Sequence, residues 1–76
     1  MSKLPAVDGK QVVAALQKAG FYLDRISKSS HHIMKRVRHR FCVSVPVHGH
    51  KSIKRGTLNG IISAAGLTED EFLALL

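Results

Sequence analysis

The chain has 76 residues, of which 45% are hydrophobic, and a net charge of +7. This length allows one small domain, which buries only ~60% of the surface of its unfolded chain and excludes a large enclosed active site. We therefore expect a single domain over residues 1–76. The apolar content argues against disorder, and the lone Cys42 excludes an internal disulfide.

The positive charge is concentrated in one part of the chain. Residues 25–55, called the basic segment below, contain nine of the twelve Lys and Arg residues, all five His residues and no Asp or Glu. Such a segment attracts phosphate chains, although an acidic protein or an anionic membrane surface would also be attracted. No stretch approaches the ~20 apolar residues of a membrane span, and none has the pattern of a signal peptide. We expect a cytoplasmic protein with no membrane partner.

The first half of the chain predicts a helix followed by two strands. Asp8 can cap a helix over residues 9–19, where apolar residues recur at helical spacing, and Gly20 ends it. Aromatic and β-branched residues then predict strands over residues 21–26 and 31–37. Residues 28–30 form the break between these strands.

A third strand is predicted over residues 41–47, where apolar residues alternate from Phe41 to Val47 on one face. Pro46 marks its end, because proline cannot donate a ladder hydrogen bond. Cys42 is interpreted as a small buried residue that only packs. Residues 38–40 must form the preceding turn without Gly, Asn or Asp, so the register stays open.

The C-terminal part predicts a loop and two helices. Residues 48–51 form the loop, and apolar spacing indicates a helix over residues 55–65 that Gly66 ends. Gly56 and Gly60 are interpreted as sites of close helix packing. Thr68 and Glu71 form a capping box, which predicts a short helix over residues 69–76 with Leu67 and Phe72 as a hydrophobic staple.

These elements predict the α+β class. The expected order is α-β-β-β-α followed by a short C-terminal helix, with a three-stranded antiparallel sheet and helices on one face. The open face of the sheet and its loops would carry the basic segment.

The residues from Ser29 to His32 combine two hydroxyls with two imidazoles at the junction of a loop and a strand. Because side chains alternate along a strand, His31 and His32 point to opposite faces. From the residues alone, a catalytic role and a pair of ordinary surface histidines are equally open.

We expect neither a metal nor a cofactor. The His residues and Cys42 lack the paired spacing of structural zinc sites, and a Cys42 nucleophile is disfavoured because no partner is evident. The sequence around Gly56 is no nucleotide-binding loop. A helix that starts at Arg55 can nevertheless hold an RNA phosphate through its backbone N–H groups, assisted by Lys54.

The order and spacing of several short motifs resemble the HicA toxins, also called the YcfA-like family, from Gly9 to Phe72. The motifs are Gly20-Phe21, Ser30-His31, Pro46, His48-Gly49, Gly56-Thr57-Leu58 and Ala65-Gly66-Leu67.

This resemblance implies a fold similar to the double-stranded-RNA-binding domain, and an mRNA interferase silenced by a HicB-type antitoxin. In the family, the catalytic histidine follows a Gly-Ser pair. Because His31 follows Ser30 in this chain, the resemblance implies that His31 is the catalytic histidine. The chain departs from the family pattern at Ser29, where Gly is usual. A left-handed conformation at Ser29 would cost about 1 kcal/mol or more.

RNA cleavage needs a base for the ribose 2′-OH, positive charge around the phosphorus and a proton for the departing 5′-oxygen. Histidine exchanges protons near neutral pH, which suits His31 as base or acid. Supporting candidates are Ser30, His48 and His32, with His48 as the best partner. The products would be a 2′,3′-cyclic phosphate and a 5′-hydroxyl, without a metal. The residues expected to bind the RNA are Lys28, Lys35, Arg36, Arg38, Arg40, Lys51, Lys54 and Arg55.

Two other classes of function are kept beside this one. A non-catalytic module with the same fold could bind RNA through phosphates and 2′-hydroxyls, which explains the charge but not the position of His31 after Ser30. A protein-binding adaptor would show no affinity for RNA at moderate salt.

Overall fold

The computed structural model describes residues 4–76. The elements are α1 (Gly9–Lys18), β1 (Tyr22–Ile26), β2 (His31–Lys35), β3 (Val43–Pro46), α2 (Arg55–Ala64) and α3 (Glu69–Leu75). The strands form one antiparallel sheet in the order β1-β2-β3. This arrangement confirms the predicted α+β class and the likeness to the double-stranded-RNA-binding fold.

Helix α1 begins at the predicted cap. The Asp8 carboxylate accepts the Gln11 N–H at 2.9 Å, and the Gln11 side-chain oxygen accepts the Asp8 N–H at 2.9 Å. This reciprocal pair satisfies two N–H groups that have no partner within a helix. The helix ends one residue earlier than predicted, and Gly20 follows at φ +97°, a conformation that glycine adopts without strain.

The two C-terminal helices also follow their predicted signals. Gly66 has φ +75° after the end of α2, and the Thr68 hydroxyl accepts the Glu71 N–H at 3.1 Å at the start of α3. Phe72 is fully buried and Leu67 packs against the core, as the staple requires. Among residues 4–76, no helix is long and apolar enough to cross a membrane.

The second and third strands are shorter than predicted. Strand β2 ends at Lys35, and Val37 is 77% exposed. Arg38 turns the chain at φ +67°, and the extended backbone resumes only at Val43. The placement of Phe41 on the buried face was therefore wrong, as was the burial of Cys42. Phe41 is 64% exposed and Cys42 is exposed, because both lie in the turn before the strand.

The core lies between the sheet and the helices. Met34 of β2 and Val43 and Val45 of β3 are almost completely buried, in agreement with the predicted alternation in β3. In the described part of the chain, no polar or charged residue is buried as a whole. The helices contribute the remaining buried side chains: Val12, Ala15, Leu16, Leu58, Ile61, Ile62 and Phe72.

Close packing of a glycine occurs at Gly9 and not at the predicted positions. A methyl group on Gly9 would overlap the carbonyl of Pro46 and lie 2.8 Å from Val47. By contrast, nothing lies within 4 Å of such a group on Gly56 or Gly60. The interpretation of these two residues as packing positions was wrong, since α2 turns them toward open space.

Strand β1 extends beyond the helix layer. Helix contacts fall on β2 and β3, and all five residues of β1 are exposed. Its pairing with β2 is irregular between Leu23 and Arg25, so Asp24 interrupts the ladder. The helices therefore cover one side of β2 and β3, whereas the edge strand β1 is left exposed.

Candidate functional site

A tight turn presents His31 at the start of β2. The Ser27 hydroxyl accepts the His31 N–H at 3.2 Å, and the Ser27 N–H donates to the His31 carbonyl at 2.9 Å. Ser30, at φ +63°, is the left-handed residue of this turn, whereas Ser29 does not have a positive φ. The absence of the family glycine at Ser29 therefore causes no backbone strain there. Ser27 was not identified from the sequence. A hydroxyl residue four positions before His31 is the pattern that could have indicated it.

The loop after β3 brings His48 to His31. Their ring centroids are 6.2 Å apart and the rings are nearly perpendicular, at 88°. A hydrogen bond from the Val47 N–H to the Ser30 carbonyl, at 3.1 Å, joins the two chain segments beside the rings. The imidazoles are thus close enough to contact the same phosphate group.

His32 lies on the other side of the sheet. It pairs with Val45, whose side chain is fully buried, and strand alternation puts His32 on the helix side together with Met34. Its Nδ1 atom is buried and has no hydrogen-bond partner in residues 4–76. His31 instead shares the open face with Ile33 and Lys35. The two histidines thus point to opposite faces, as the alternation predicted, and the structure adds that His31 is the outward one.

The cationic residues divide between two ends of the sheet. We call the end where β2 begins the histidine end, and the turn between β2 and β3 the opposite end. The five residues of β2 separate the two ends by about 13 Å. Lys28, Lys51 and Lys54 lie at the histidine end. The opposite end carries Arg36, Arg38 and Arg40.

Both long helices run from the histidine end to the opposite end. Gly9 lies against Pro46 and Val47, and Lys54 lines the same cavity as His48, so α1 and α2 begin near His31. Helix N-termini carry partial positive charge, which adds to that of the lysines. The acidic first turn of α3 follows the far end of α2, away from His31. The histidine end therefore combines three lysines with two helix N-termini, one of which is capped by the Asp8 carboxylate.

Several predicted RNA-binding cations have partners within the protein. Arg36 donates to the Ala19 carbonyl at 3.2 Å. Lys35 lies 3.6 Å from the Asp24 carboxylate, which also accepts a bond from Arg25 at 2.8 Å. Sequence reasoning counted no acid in the basic segment and did not foresee that β1 places Asp24 beside two of its cations. Arg55 lines a separate cavity with Leu4 and Pro5.

The zinc-compatible donors do not converge. In the described residues, no group of three His, Cys, Asp or Glu side chains could hold a metal ion. Cys42 lies near the opposite end, remote from the His31–His48 pair.

The fold and this arrangement define a small α+β domain of the double-stranded-RNA-binding type, with a histidine pair at the end of its sheet that carries three lysines. The family model described as the HicA toxin of bacterial toxin–antitoxin systems matches residues 9–67, and the chain belongs to that family. None of the curated proteins matches the chain. The protein is accordingly a toxin of a toxin–antitoxin system, which implies an antitoxin partner.

Proposed function

We propose that this toxin is an endoribonuclease, an mRNA interferase that cleaves messenger RNA in the cytoplasm. The observation that carries the proposal is the approach of His31 to His48 at the histidine end of the sheet, in a chain of the HicA family. Two imidazoles at one phosphate supply both proton transfers that RNA cleavage requires.

The proposed reaction uses the RNA's own hydroxyl as the nucleophile. One imidazole removes the proton of the ribose 2′-OH, and the oxygen forms a bond to the adjacent phosphorus. The bond from phosphorus to the 5′-oxygen breaks, and the other imidazole, protonated beforehand, donates its proton to that oxygen. The products are a 2′,3′-cyclic phosphate and a 5′-hydroxyl, and no metal takes part.

The surrounding residues position the reacting groups and bind the strand. Ser27 and Ser30 fix the backbone at His31, and Lys28 lies in the same turn. His32 is left out of the mechanism because it faces the helices. The proposed RNA-binding residues remain those with exposed positive charge along the basic segment, with the three lysines of the histidine end nearest the reacting phosphate.

We propose a HicB-type protein as the antitoxin. An acidic segment that covers the His31–His48 pair would be attracted by the same charges as RNA and would exclude RNA by occupying its site. Inhibition of this kind weakens as salt rises, whereas inhibition that is insensitive to salt would indicate hydrophobic docking elsewhere.

The test is cleavage of a labelled mRNA with EDTA present, together with RNA binding by the same proteins. We expect His31→Ala and His48→Ala to bind RNA but to cleave at least ~100-fold more slowly. His50→Ala is the matched control, since His50 belongs to the same loop and its side chain is 92% exposed. It should cleave like the wild type.

A substrate with a good leaving group separates the two proton transfers. Uridine 3′-(4-nitrophenyl) phosphate needs no proton on its departing oxygen, so the variant that lacks the acid should recover most of its activity. The variant that lacks the base should not. If wild type and variants all bind without cleaving, the protein is an RNA-binding module, and if EDTA abolishes wild-type cleavage, the metal-free mechanism is wrong.

A further inference from the structure

A cavity of about 140 Å³ opens next to His48, between the end of β3 and the start of α2. The polar residues that line it are His48, Lys51, Ser52, Lys54 and Thr57. Pro46 and Ile53 form its apolar part. None of the lining residues is an acid.

This chemistry matches a phosphate group. Two ammonium groups supply charge, and hydroxyls supply donors that can bond to the non-bridging oxygens of a phosphodiester. The backbone of Asp8 pairs with that of Ser52; its Oδ1 accepts the Gln11 N–H at 2.9 Å, and its Oδ2 lies 3.8 Å from His50 Nδ1. An anion in the cavity would therefore meet cationic and neutral lining residues and no acidic one.

The position of the cavity relates it to the histidine pair. His48 lines the cavity and also lies 6.2 Å, between ring centroids, from His31. A phosphate in the cavity would therefore lie beside His48, as would the phosphate that reacts between His48 and His31. Consecutive phosphates of one RNA strand can occupy the two places.

We propose that this cavity binds the phosphate adjacent to the one that is cleaved, with Lys51 and Lys54 as its charged ligands. This proposal extends the proposed function, and it rests on that function for the assumption that the bound strand is RNA. It assigns Lys51 and Lys54 to substrate positioning along the strand, separate from the proton transfers at His31 and His48. The other cations of the basic segment are not needed for this subsite.

The first experiment pairs a protein change with an RNA change. The cleavage site of an RNA is first mapped. A set of RNAs is then made, in each of which one phosphate flanking that site is replaced by an uncharged methylphosphonate linkage. For the wild type, one of these replacements should lower kcat/KM roughly tenfold. With unmodified RNA, the double variant Lys51→Gln/Lys54→Gln should show the same roughly tenfold loss relative to the wild type. With the replaced linkage it should lose no more, because removing either the lysines or the phosphate charge removes the same interaction.

The control removes the same charge elsewhere. Lys10→Gln/Lys18→Gln removes two positive charges from α1, as many as the Lys51/Lys54 variant loses. With the replaced linkage, its kcat/KM should fall by the same factor as that of the wild type. The proposal is overturned if every flanking replacement lowers kcat/KM of the Lys51/Lys54 variant as much as that of the wild type. It is also overturned if the Lys51/Lys54 variant cleaves unmodified RNA as fast as the wild type.

A second measurement does not depend on cleavage. Inorganic phosphate titrated into the ¹⁵N-labelled protein should shift the amide signals of residues 51–57, and the shifts should be lost in Lys51→Gln/Lys54→Gln but kept in Lys10→Gln/Lys18→Gln. Absence of these shifts in the wild type overturns the subsite. If the shifts occur but no RNA is cleaved, the subsite stands and the endoribonuclease proposal fails.

Discussion

Two basic residues each contact the end of one long helix: Arg36 contacts the end of α1, and His39 contacts the end of α2. The Arg36 guanidinium lies 5.0 Å from the centroid of the Phe21 ring and donates to the Ala19 carbonyl after α1. His39 contacts the same ring edge-on at 5.2 Å, and its Nε2 lies 2.8 Å from the Ala64 carbonyl at the end of α2. The two side chains therefore satisfy carbonyls at helix C-termini, where positive charge is favourable.

Arg36→Ala should lower the free energy of unfolding by about 1–2 kcal/mol, since it removes a charged hydrogen bond and a cation–π contact. Urea unfolding measures this change. Arg40→Ala is the control: it removes the same charge from an exposed residue of the same turn and should change stability by less than ~0.5 kcal/mol. Equal destabilisation by both changes would mean that the contacts of Arg36 contribute no net stability.

Among the elements, α1 and α2 differ in how tightly their glycines pack. Gly9 begins α1 directly against the end of β3, whereas Gly60 lies in the middle of α2 with open space around it. The contact at Gly9 joins α1 to the residues that lead into His48. It thereby links the helix layer to the position of one member of the histidine pair.

Gly9→Ala should destabilise the protein by about 1–3 kcal/mol, because the added methyl group overlaps Pro46 and Val47. Gly60→Ala should instead stabilise it by up to about 1 kcal/mol, since alanine favours the helix and meets no atom. Thermal and urea unfolding of both variants measure the difference. Stabilisation by both would show that the start of α1 can move away from β3 at little cost.

Local signals predicted the elements well, because caps and glycine stops act within one turn of chain. Asp8, Gly66 and Thr68 each mark a boundary to within a residue. The strand ends were less predictable, since the turn at Arg38 carries no glycine, asparagine or aspartate to announce it. Phe41 was consequently assigned to the wrong environment.

Features of the candidate site that depend on register could not be read from the chain. The sequence suggested His48 as a partner for His31, and the structure brings their rings together, but the proximity depends on how β3 pairs with β2. The contact of Asp24 with Lys35 likewise depends on how β1 pairs with β2.

At the scale of the whole molecule, the protein is a flat body of 32 × 28 × 18 Å with an asymmetric charge distribution. Three lysines and two helix starts lie at the histidine end, while the acidic turn of α3 lies toward the opposite end. A net charge of +7 on so small a body makes RNA binding strongly electrostatic.

Binding of single-stranded RNA should therefore weaken steeply with salt. Contacts with about five phosphates predict a slope near −3.5 for the logarithm of the binding constant against the logarithm of salt concentration. Fluorescence anisotropy with a labelled RNA and His31→Ala, which is expected to bind without cleaving, measures this slope. A protein-binding adaptor would instead show no RNA affinity at moderate salt.

The irregular β1 strand bears on how concentrated solutions of the toxin behave. A regular edge strand with Leu23 and Ile26 exposed would offer another copy a continuous row of hydrogen-bonding groups, which is how sheets aggregate edge to edge. Asp24 breaks that row, and the adjacent charges of Asp24 and Arg25 make the edge costly to dehydrate. The bulge thus protects the colloidal solubility of a sheet whose edge no helix covers.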